Sequence, residues 1–594
     1  MRKIPVPTFG ARRLWNMGAI GLVGAGLLLC YGVVGTGNPS DPHNAAAQQQ
    51  EQEVKTNADL IPWQAATLPG AIKVGDGLKI SPTSLSIVEQ NGSGGQPNPP
   101  LNLSSYIETK GEYTIEATAT DFKDSDATIS LYGQVPVIAD EFRIERPRVR
   151  LGLDDGHLSV TMWDGKQEPI STQTFTFTSA ATVTIATTIK DDKLSFAVNG
   201  RTVGEVKAPG IFKDKLWFGA TAEKSDWTLA SLQIKELNEN KTSLKVVDVS
   251  SKTMTVHDDK GLQALAAKKR PGFMVGAAIS PGTIVDDPAY AAIALDKSQL
   301  GTWTPENAMK MQFLQPKEGQ YYFQYADLLV KLAQQNGIAV HGHALVFGEA
   351  NPRWFNDLPV NTSEEKQHIE KIMEEHITKV VTHFGDKINS WDVVNEPMAD
   401  YDEGDGSGTA LRNHKWYKAM GESYIAKALV AAHKANPQAT LFINEWGLEE
   451  DGERWDAFLA RMTALKATLA AQGVPADKIG VGFQAHVYDT ADRINPATLT
   501  AHLKQLGELG FKAQISEMDV TSELGDDGQG QQYAEVFQAC LNEPTCIGWR
   551  TWILSDRYNF WKDDDGSIQQ GTDGLFSTDM KPRPGYVYIQ KLLN

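Results

Sequence analysis

Glu396 and Glu517 each follow an apolar run of the kind that forms a buried parallel strand. The first ends the segment WDVVNE, and the second lies in QISEMDV, farther along the chain. A carboxylate at the rim of a packed interior costs free energy unless partners or chemistry offset that cost. Paired glutamates in such positions are typical of a glycosidase, in which one carboxyl group is the acid and the other the nucleophile. The chain is therefore predicted to hydrolyse a glycosidic bond.

The length and charge of the chain limit its architecture and its partners. Its 594 residues exceed the roughly 250 to 300 that one hydrophobic core serves, so a tail and two domains are expected. The net charge of -18 argues against a nucleic-acid partner, because phosphate recognition needs a basic surface. A neutral polysaccharide would be insensitive to that charge.

Residues 1–35 contain an uncharged apolar stretch at 17–34 that is long enough to span a bilayer. Basic residues precede it, which favours a cytoplasmic N-terminus and a signal-anchor that leaves the remaining chain outside, anchored to the membrane at the cell surface. The alternative is a cleaved signal peptide and a secreted protein, although no clean A-x-A cleavage site directly follows the apolar stretch. Residues 36–60 are polar and rich in Gln, Ala and Pro, and are predicted to be a flexible linker.

Residues 61–240 show the period-2 alternation of half-buried strands, for example in YTIEATA, HLSVTMW and KLSFAV. The dipeptide Asn199-Gly200 stands between two such runs and predicts a tight hairpin. Short strands of this kind indicate two packed antiparallel sheets, and the region loosely resembles concanavalin-like jelly-roll domains. Trp163, Trp217 and Trp227 are candidates either for stacking on sugars or for filling the core. The domain is accordingly predicted to be a β-sandwich that serves as a carbohydrate-binding module or as a spacer.

Residues 255–594 switch to apolar runs that alternate with amphipathic helical stretches. The runs begin at residues 273, 300, 338, 388, 440, 479, 512 and 546, and the clearest helical stretches are 325–336, 364–384, 417–435, 454–471 and 496–509. Eight strand-helix alternations predict an α/β fold, the (β/α)8 or TIM barrel. An open doubly wound sheet is the alternative, but no glycine-rich phosphate loop follows the first strand.

Polar residues gather where the predicted strands end. In a (β/α)8 barrel these ends form one rim, which is where active sites lie. Any single member, such as His343, is equally explained as a hydrogen-bonded core residue, but the convergence of the whole set predicts an active site. The set comprises Glu306, Asn307, His343, Asn395, Glu396, Gln484, His486, Glu517 and Asp519.

Several motifs resemble glycoside hydrolase family 10, whose best-known members are endo-β-1,4-xylanases. They are ENAMK at Glu306, GHALV at Gly342, WDVVNEP at Trp391, GFQAHV at Gly482, ISEMDV at Ile515 and CIGWRTWILSD at Cys546, and the resemblance covers residues 261–593. It implies a polysaccharide substrate, xylan or a related β-glycan, with Glu396 as acid/base and Glu517 as nucleophile. It further implies that His486 hydrogen-bonds Glu517, with Asp519 behind it. The sugar-binding residues that it implies are Glu306, Asn307, Lys310, His343, Asn395, Gln484, His486 and Trp552.

Aromatic residues near the end of the chain offer faces on which pyranose rings can stack. Trp552, Phe560 and Trp561 are the candidates, and we include Trp561 among the predicted substrate-binding residues. Core packing is the alternative for each of them.

The two glutamates must differ in protonation, because one donates a proton to the leaving oxygen while the other attacks the anomeric carbon from the opposite face. Glu396 is flanked in the sequence by the uncharged Asn395 and Pro397, whereas a hydrogen bond from His486 would favour an ionised Glu517. This places the proton on Glu396. After the glycosyl-enzyme ester has formed, Glu396 activates water, so the configuration at the anomeric carbon is retained.

The segment after GHALV departs from the family pattern. Tryptophan, histidine, serine and glutamine are usual there, and this chain has Phe347, Gly348, Glu349 and Ala350. Met311 follows ENAMK where tryptophan is frequent, and the asparagine-aspartate pair expected on strand five appears as Asn444 and Glu445. A smaller and less polar wall beside the reactive sugar would admit a substituted or larger sugar, which is a hypothesis motivated by Phe347 and Gly348.

Two of the three cysteines, Cys540 and Cys546, lie close together between a predicted helix and a predicted strand. They predict a local disulfide in an exported protein, with two buried thiols as the alternative. His341 and His343 form an HxH pair, but no carboxylate motif lies nearby in the sequence, so no metal site is predicted. The mechanism above needs no cofactor.

Two other classes of function remain open. One is a glycan-binding surface protein with a weakly active or differently specific barrel, and the other is a structural surface protein. A protein without catalysis has no physical reason to keep Glu396, Glu517 and His486 together, so an enzyme is the leading prediction.

Overall fold

The computed structural model describes most of residues 71–594. It leaves undescribed 1–70, 75–76, 81–84, 88–104, 121–126, 134–147, 155, 164–168, 191, 209–210, 213–214, 223–226, 238–242, 249–258, 316–317, 320, 322, 402, 404–405 and 563–567. The predicted membrane segment and linker therefore lie outside the described residues. Among the helices that are described, none is long and apolar enough to span a bilayer.

Two antiparallel sheets form the first part of the described chain. The first sheet contains β1 (Ala71–Val74), β2 (Gly77–Ile80), β3 (Leu85–Ile87), β5 (Tyr113–Thr120), β10 (Thr182–Lys190), β11 (Lys193–Val198), β12 (Arg201–Lys207) and β14 (Trp227–Glu236). The second contains β4 (Ser105–Lys110), β6 (Ala127–Tyr132), β7 (Arg148–Asp154), β8 (His157–Trp163), β9 (Ser171–Thr176), β13 (Lys215–Ala222) and β15 (Ser243–Asp248). Because β15 pairs with β4, the second sheet extends beyond the predicted boundary at residue 240.

The alternating pattern places one side of each strand in a shared core. In β10 the residues Val183, Ile185 and Ile189 are buried, while their neighbours are partly exposed. Asn199 and Gly200 have φ values of 50° and 80° between paired Val198 and Arg201, which confirms the predicted two-residue hairpin.

Of the three tryptophans Trp163, Trp217 and Trp227, the structure describes the side chain of Trp217. Trp217 is 1% exposed, so it packs in the interior and does not present a face for a sugar. The side chains of Trp163 and Trp227 lie outside the described residues.

A closed parallel barrel forms the second part of the chain. Its strands are β16 (Met274–Ile279), β17 (Thr302–Pro305), β18 (Ala339–Val340), β19 (Gly342–Phe347), β20 (Ser390–Asn395), β21 (Thr440–Glu445), β22 (Ile479–Phe483), β23 (His486–Val487), β24 (Lys512–Val520) and β25 (Cys546–Thr551). The pieces β18 and β19 form the third barrel strand, and β22 and β23 form the sixth. Since β16 pairs in parallel with both β17 and β25, the sheet closes on itself, and the doubly wound alternative is wrong.

Helices cover the outside of the barrel. They are Leu262–Lys269, Pro281–Asp286, Pro288–Ala294, Met311–Leu314, Gln324–Gln335, Arg353–Asn356, Ser363–Phe384, Lys415–Met420, Ser423–Ala435, Glu453–Ala471, Pro496–Glu508, Gly525–Asn542 and Pro584–Leu593. The longest begins at a capping box in which the side chains of Thr362 and Glu365 each accept a hydrogen bond from the other's backbone N–H. The helix predicted at 417–435 is in fact two helices, because Gly421 adopts a positive φ of 59° and ends the first.

A disulfide joins Cys540, near the end of the helix Gly525–Asn542, to Cys546, the first residue of β25. The two Cα atoms are 5.2 Å apart, and both residues are fully buried. The predicted pairing is confirmed, and the alternative of two free thiols is wrong. The bond fixes the last helix-to-strand connection of the barrel.

Replacement of both cysteines by alanine is expected to lower the free energy of unfolding by about 2 kcal/mol, because a short cross-linked loop restricts the unfolded chain. Chemical denaturation of the oxidised protein and of the double variant measures the difference. The reduced parent protein serves as the control and should unfold at the same denaturant concentration as the variant. Equal stability of all three samples would contradict the expectation.

Candidate active site

Glu396 is placed by an unusual backbone conformation at the end of β20. Asn395 is the last residue of that strand, and Glu396 follows it with a φ of 48°, in the left-handed region that non-glycine residues seldom occupy. The backbone N–H of Glu396 still donates to the carbonyl of Asn444 on the neighbouring strand, at 2.8 Å. The strained turn therefore stays attached to the barrel while it re-aims the glutamate side chain.

Glu517 lies within β24 and is 3% exposed. The side-chain amide of Asn444 donates to Glu517 Oε1 at 2.5 Å and to Asn395 Oδ1 at 2.8 Å. The Ser516 hydroxyl in turn donates to Asn444 Oδ1 at 2.6 Å, which fixes the orientation of that amide. One uncharged side chain thus supports the carboxylate of Glu517 and the amide of Asn395 together.

His486 lies between two carboxylates. Its Nδ1 is 2.9 Å from Asp519 Oδ1, and its Nε2 is 3.5 Å from Glu517 Oε2. Burial alone would lower the pKa of His486, but the charge of Asp519 and the hydrogen bonds to Asp519 and Glu517 outweigh it and raise the pKa to about 10. A cationic imidazole therefore lies beside Glu517, in the contact that the family resemblance implies.

Glu396 has more polar neighbours than its sequence context indicates. Asn395 Nδ2 and Gln484 Nε2 both donate to Glu396 Oε1, at 3.2 and 3.1 Å. The guanidinium of Arg412 donates to Glu396 Oε2 at 3.4 Å and also to Asp400 at 2.7 Å. The uncharged sequence neighbours Asn395 and Pro397 therefore do not reveal the charged group that faces Glu396 in space.

Predicted residues from strands two, three and eight form a neighbouring wall. Lys310 Nζ donates to Asn307 Oδ1 at 2.7 Å and lies 5.8 Å from the centre of the Trp552 ring. The ring of His343 meets the Trp552 ring edge to face, with centroids 5.5 Å apart. Glu306 directly follows β17 and is half-buried. The structure therefore brings charged, amide and aromatic groups together on this side.

The histidines of the HxH pair share one carboxylate partner inside the barrel. His343 Nδ1 lies 2.9 Å from Asp392 Oδ2, and His341 Nε2 lies 2.9 Å from Asp392 Oδ1. Burial lowers the pKa of His341 to about 4. Gln514 contacts His341 at 3.2 Å and accepts from Arg550 at 2.6 Å, so a polar network continues toward the centre of the barrel.

The structure corrects the hypothesis of a roomier, less polar wall. A methyl group on Gly348 would lie 2.7 Å from His414 Cδ2 and 3.3 Å from Arg412 Cδ, so side chains already fill that space. Phe347 is buried, and Glu349 adds a carboxylate that accepts from Arg412 at 3.0 Å. The wall beside Glu396 is therefore closed and charged.

Glu445 is fully buried at the end of β21. It accepts hydrogen bonds from the backbone N–H groups of Met398 and Trp446 and from Arg454 at 2.9 Å. Burial raises its pKa to about 7. This residue joins the β20 and β21 ends below the catalytic candidates.

Sequence reasoning missed Arg412 and Asp400 and treated Asn444 only as part of a family pair. Nothing in the local sequence marks these residues, because their partners come from other strands and loops. Trp561 lies on β26 (Phe560–Lys562), which pairs with β27 (Ile568–Gln570), and its side chain, like that of Phe560, lies outside the described residues. The predicted role of Trp561 therefore stays a prediction.

The charge of His486 can be measured directly. We expect its ring to stay doubly protonated at about pH 8, because Asp519 and Glu517 hold its pKa near 10. Nitrogen-15 NMR of histidine-labelled protein, with Asp519→Asn to assign the signal and lower its titration point, measures this. His376, whose pKa burial lowers to about 3, is the internal comparison and should be neutral at that pH. Loss of the second His486 proton near pH 6.5 would contradict the expectation.

Comparison with known proteins agrees with this geometry. The model of glycosyl hydrolase family 10 matches residues 262–592. The chain is 31% identical to endo-1,4-beta-xylanase B of Thermotoga neapolitana, over 56% of this chain and 92% of the relative, and 33% identical to endo-1,4-beta-xylanase A of Phanerodontia chrysosporium, over 50% and 68%. A solved GH10 xylanase from Bispora sp. MEY-1, with xylobiose, matches at 25% identity and a TM-score of 0.50, over 56% of this chain and 99% of that one. The chain belongs to glycosyl hydrolase family 10.

Proposed function

We propose that the protein is a retaining endo-β-1,4-xylanase in which Glu396 is the acid/base and Glu517 is the nucleophile. The observation that carries this proposal is the hydrogen-bonded series Glu517, Asn444, Asn395, Glu396 at the barrel mouth. Two amide side chains hold the two carboxyl groups in one fixed arrangement. Membership of a retaining family and the names of the relatives, both endo-1,4-beta-xylanases, support the same activity.

The first step forms a covalent intermediate. Ionised Glu517, supported by cationic His486, attacks the anomeric carbon, while Glu396 protonates the glycosidic oxygen as its bond to that carbon breaks. The contact from Asn395 to Glu396, at 3.2 Å, is long enough to yield to a sugar 2-hydroxyl. A hydrogen bond from Asn395 to that hydroxyl would strengthen as positive charge develops on the ring.

The second step hydrolyses the intermediate. Esterified Glu517 carries no charge, and Glu396 is now a carboxylate whose Oε2 faces Arg412. It removes a proton from water as the water oxygen attacks the anomeric carbon and Glu517 leaves. Two inversions at the same carbon give net retention.

The remaining predicted residues would hold the polymer along the cleft. Lys310, Asn307 and Glu306 supply polar groups at one end of the wall, and Trp552 supplies an aromatic edge near His343. Gln484 would share its donor between Glu396 and substrate. Trp561 is proposed to stack on a sugar near the same end.

Outside the barrel, the proposal keeps an extracytoplasmic protein held by its N-terminal segment and carrying a jelly-roll-like domain. The two antiparallel sheets and the disulfide support an exported multidomain enzyme. The buried position of Trp217 favours a spacer over a sugar-binding role for this domain.

Glu517→Ala is expected to lower kcat on xylan by ~10⁴-fold or more while leaving the thermal unfolding temperature almost unchanged, because the nucleophile provides most of the barrier lowering. Reducing-sugar release measures the rate, and proton NMR of the wild-type reaction should show the β-anomer first. The surface variant Glu535→Ala is the control and should retain full activity. An active Glu517→Ala enzyme, or initial α-anomer, would refute the assignment.

A substrate panel tests what the closed wall implies for specificity. Because His414 fills the space beside Gly348, we expect linear xylan to be cleaved at least as fast as substituted xylan, and faster than β-glucan. Initial rates of the full-length protein on the three polymers provide the comparison. Faster cleavage of substituted xylan or glucan would restore the hypothesis of a roomier wall.

A further inference from the structure

Glu349 occupies a position that the two-glutamate mechanism does not use. It stands two residues after β19, where the family usually has serine, and its side chain is 27% exposed at the cleft. Its Oε1 accepts from Arg412 Nη1 at 3.0 Å. This carboxylate is thus connected, through one guanidinium, to the predicted acid/base.

The guanidinium of Arg412 forms ion pairs with three carboxylates. Its side chain is 7% exposed, and it donates through Nη1 to Glu349 and through Nη2 to Asp400 at 2.7 Å and to Glu396 at 3.4 Å. The contact with Glu396 is the longest of the three. The guanidinium thus lies closer to the oxygens of Glu349 and Asp400 than to Glu396 Oε2, so it is shared and does not serve Glu396 alone.

The loop that carries Glu349 has a conformation that allows Glu349 to contact Arg412. Asn351 Nδ2 donates to the carbonyls of Phe347 and Gly348, at 2.9 and 3.1 Å, and closes a tight turn. Gly348 leaves room for Arg412 Cδ and for the His414 ring, which a Cβ at that position would meet at 3.3 and 2.7 Å. The two departures from the family pattern, Gly348 and Glu349, are thus related, since Gly348 leaves space for Arg412 and Glu349 binds Arg412.

The charges that face Glu349 come from several elements. They are Glu396 after β20, Arg412 and Asp400 on the following loop, and Lys310 after β17. Burial and the charge of Glu396 raise the pKa of Glu349 to about 7, although Arg412 and Lys310 oppose them. Glu396 in turn also faces Glu445 and Tyr488.

We propose that Glu349 is a positioning residue for proton transfer: by engaging Arg412 it weakens the ion pair between Arg412 and Glu396, and so helps Glu396 to keep the proton that it delivers to the leaving oxygen. This inference rests on the proposed function. If Arg412 paired with Glu396 alone, it would stabilise the Glu396 carboxylate, and Glu396 would lose its proton at a lower pH. Above about pH 7, where Glu349 is ionised, its negative charge acts in the same direction by direct repulsion of the Glu396 carboxylate.

The test is the pH dependence of kcat/KM on xylohexaose for Glu349→Gln. The substitution removes one negative charge and releases Arg412, so Glu396 should lose its proton earlier, and the alkaline limb should move to lower pH by about one pH unit. The same measurement on dinitrophenyl β-xylobioside should change little, because that leaving group departs without an acid. Glu349→Asp keeps the charge and should restore the parent profile.

Asp357→Asn is the matched control. Asp357 follows the same loop and pairs with Arg353 at 3.2 Å on the exposed surface, so its neutralisation should leave both profiles unchanged. An unshifted limb in an active Glu349→Gln enzyme would overturn this inference alone. Equal losses on both substrates would also overturn it, since they would indicate a general distortion of the cleft. A parent enzyme that is inactive on xylohexaose would overturn the proposed function as well.

Discussion

Glu396 and Glu517 are both largely buried at the barrel mouth, and amide side chains connect them. Each carboxyl group needs its own hydrogen-bond partners, because a buried carboxyl group without partners is costly. The structure meets this constraint with amides. Asn444 donates to Glu517 and to Asn395, and Asn395 donates to Glu396, so the link between the glutamates carries no net charge. Uncharged donors orient both groups, and a different cation contacts each of them, Arg412 at Glu396 and His486 at Glu517. This arrangement allows one group to be acid while the other is ionised.

The compensating cations are distributed unequally. His486 lies between Glu517 and Asp519 and contacts both carboxylates. Arg412 contacts the three carboxylates of Glu396, Asp400 and Glu349. The two glutamates therefore have different charged neighbours, although both lie at the barrel mouth.

The barrel interior makes these positions rigid. Asp392 accepts from His343 and also contacts His341, where Gln514 and Arg550 continue the network. Hydrogen-bonded polar groups in a packed interior have few alternative arrangements, so this network limits the movement of the strands that carry the site. Because the first strand of the barrel pairs with the last, the sheet has no free edge at this point, and neighbouring strands restrain one another around the rim.

Local sequence was sufficient for the repeating elements, the two glutamates, the hairpin at Asn199-Gly200 and the Cys540–Cys546 bond, because each depends on periodicity or on residues close in the chain. It was insufficient for Arg412, for the role of Asn444, for the break at Gly421 and for the closed wall beside Gly348. These features depend on which strands are neighbours and in what register, and no short segment encodes that. The sequence by itself determined the repeating elements and the candidate residues of the site, whereas the charged partners of those residues were decided by tertiary structure, because electrostatic partners are selected by distance in space.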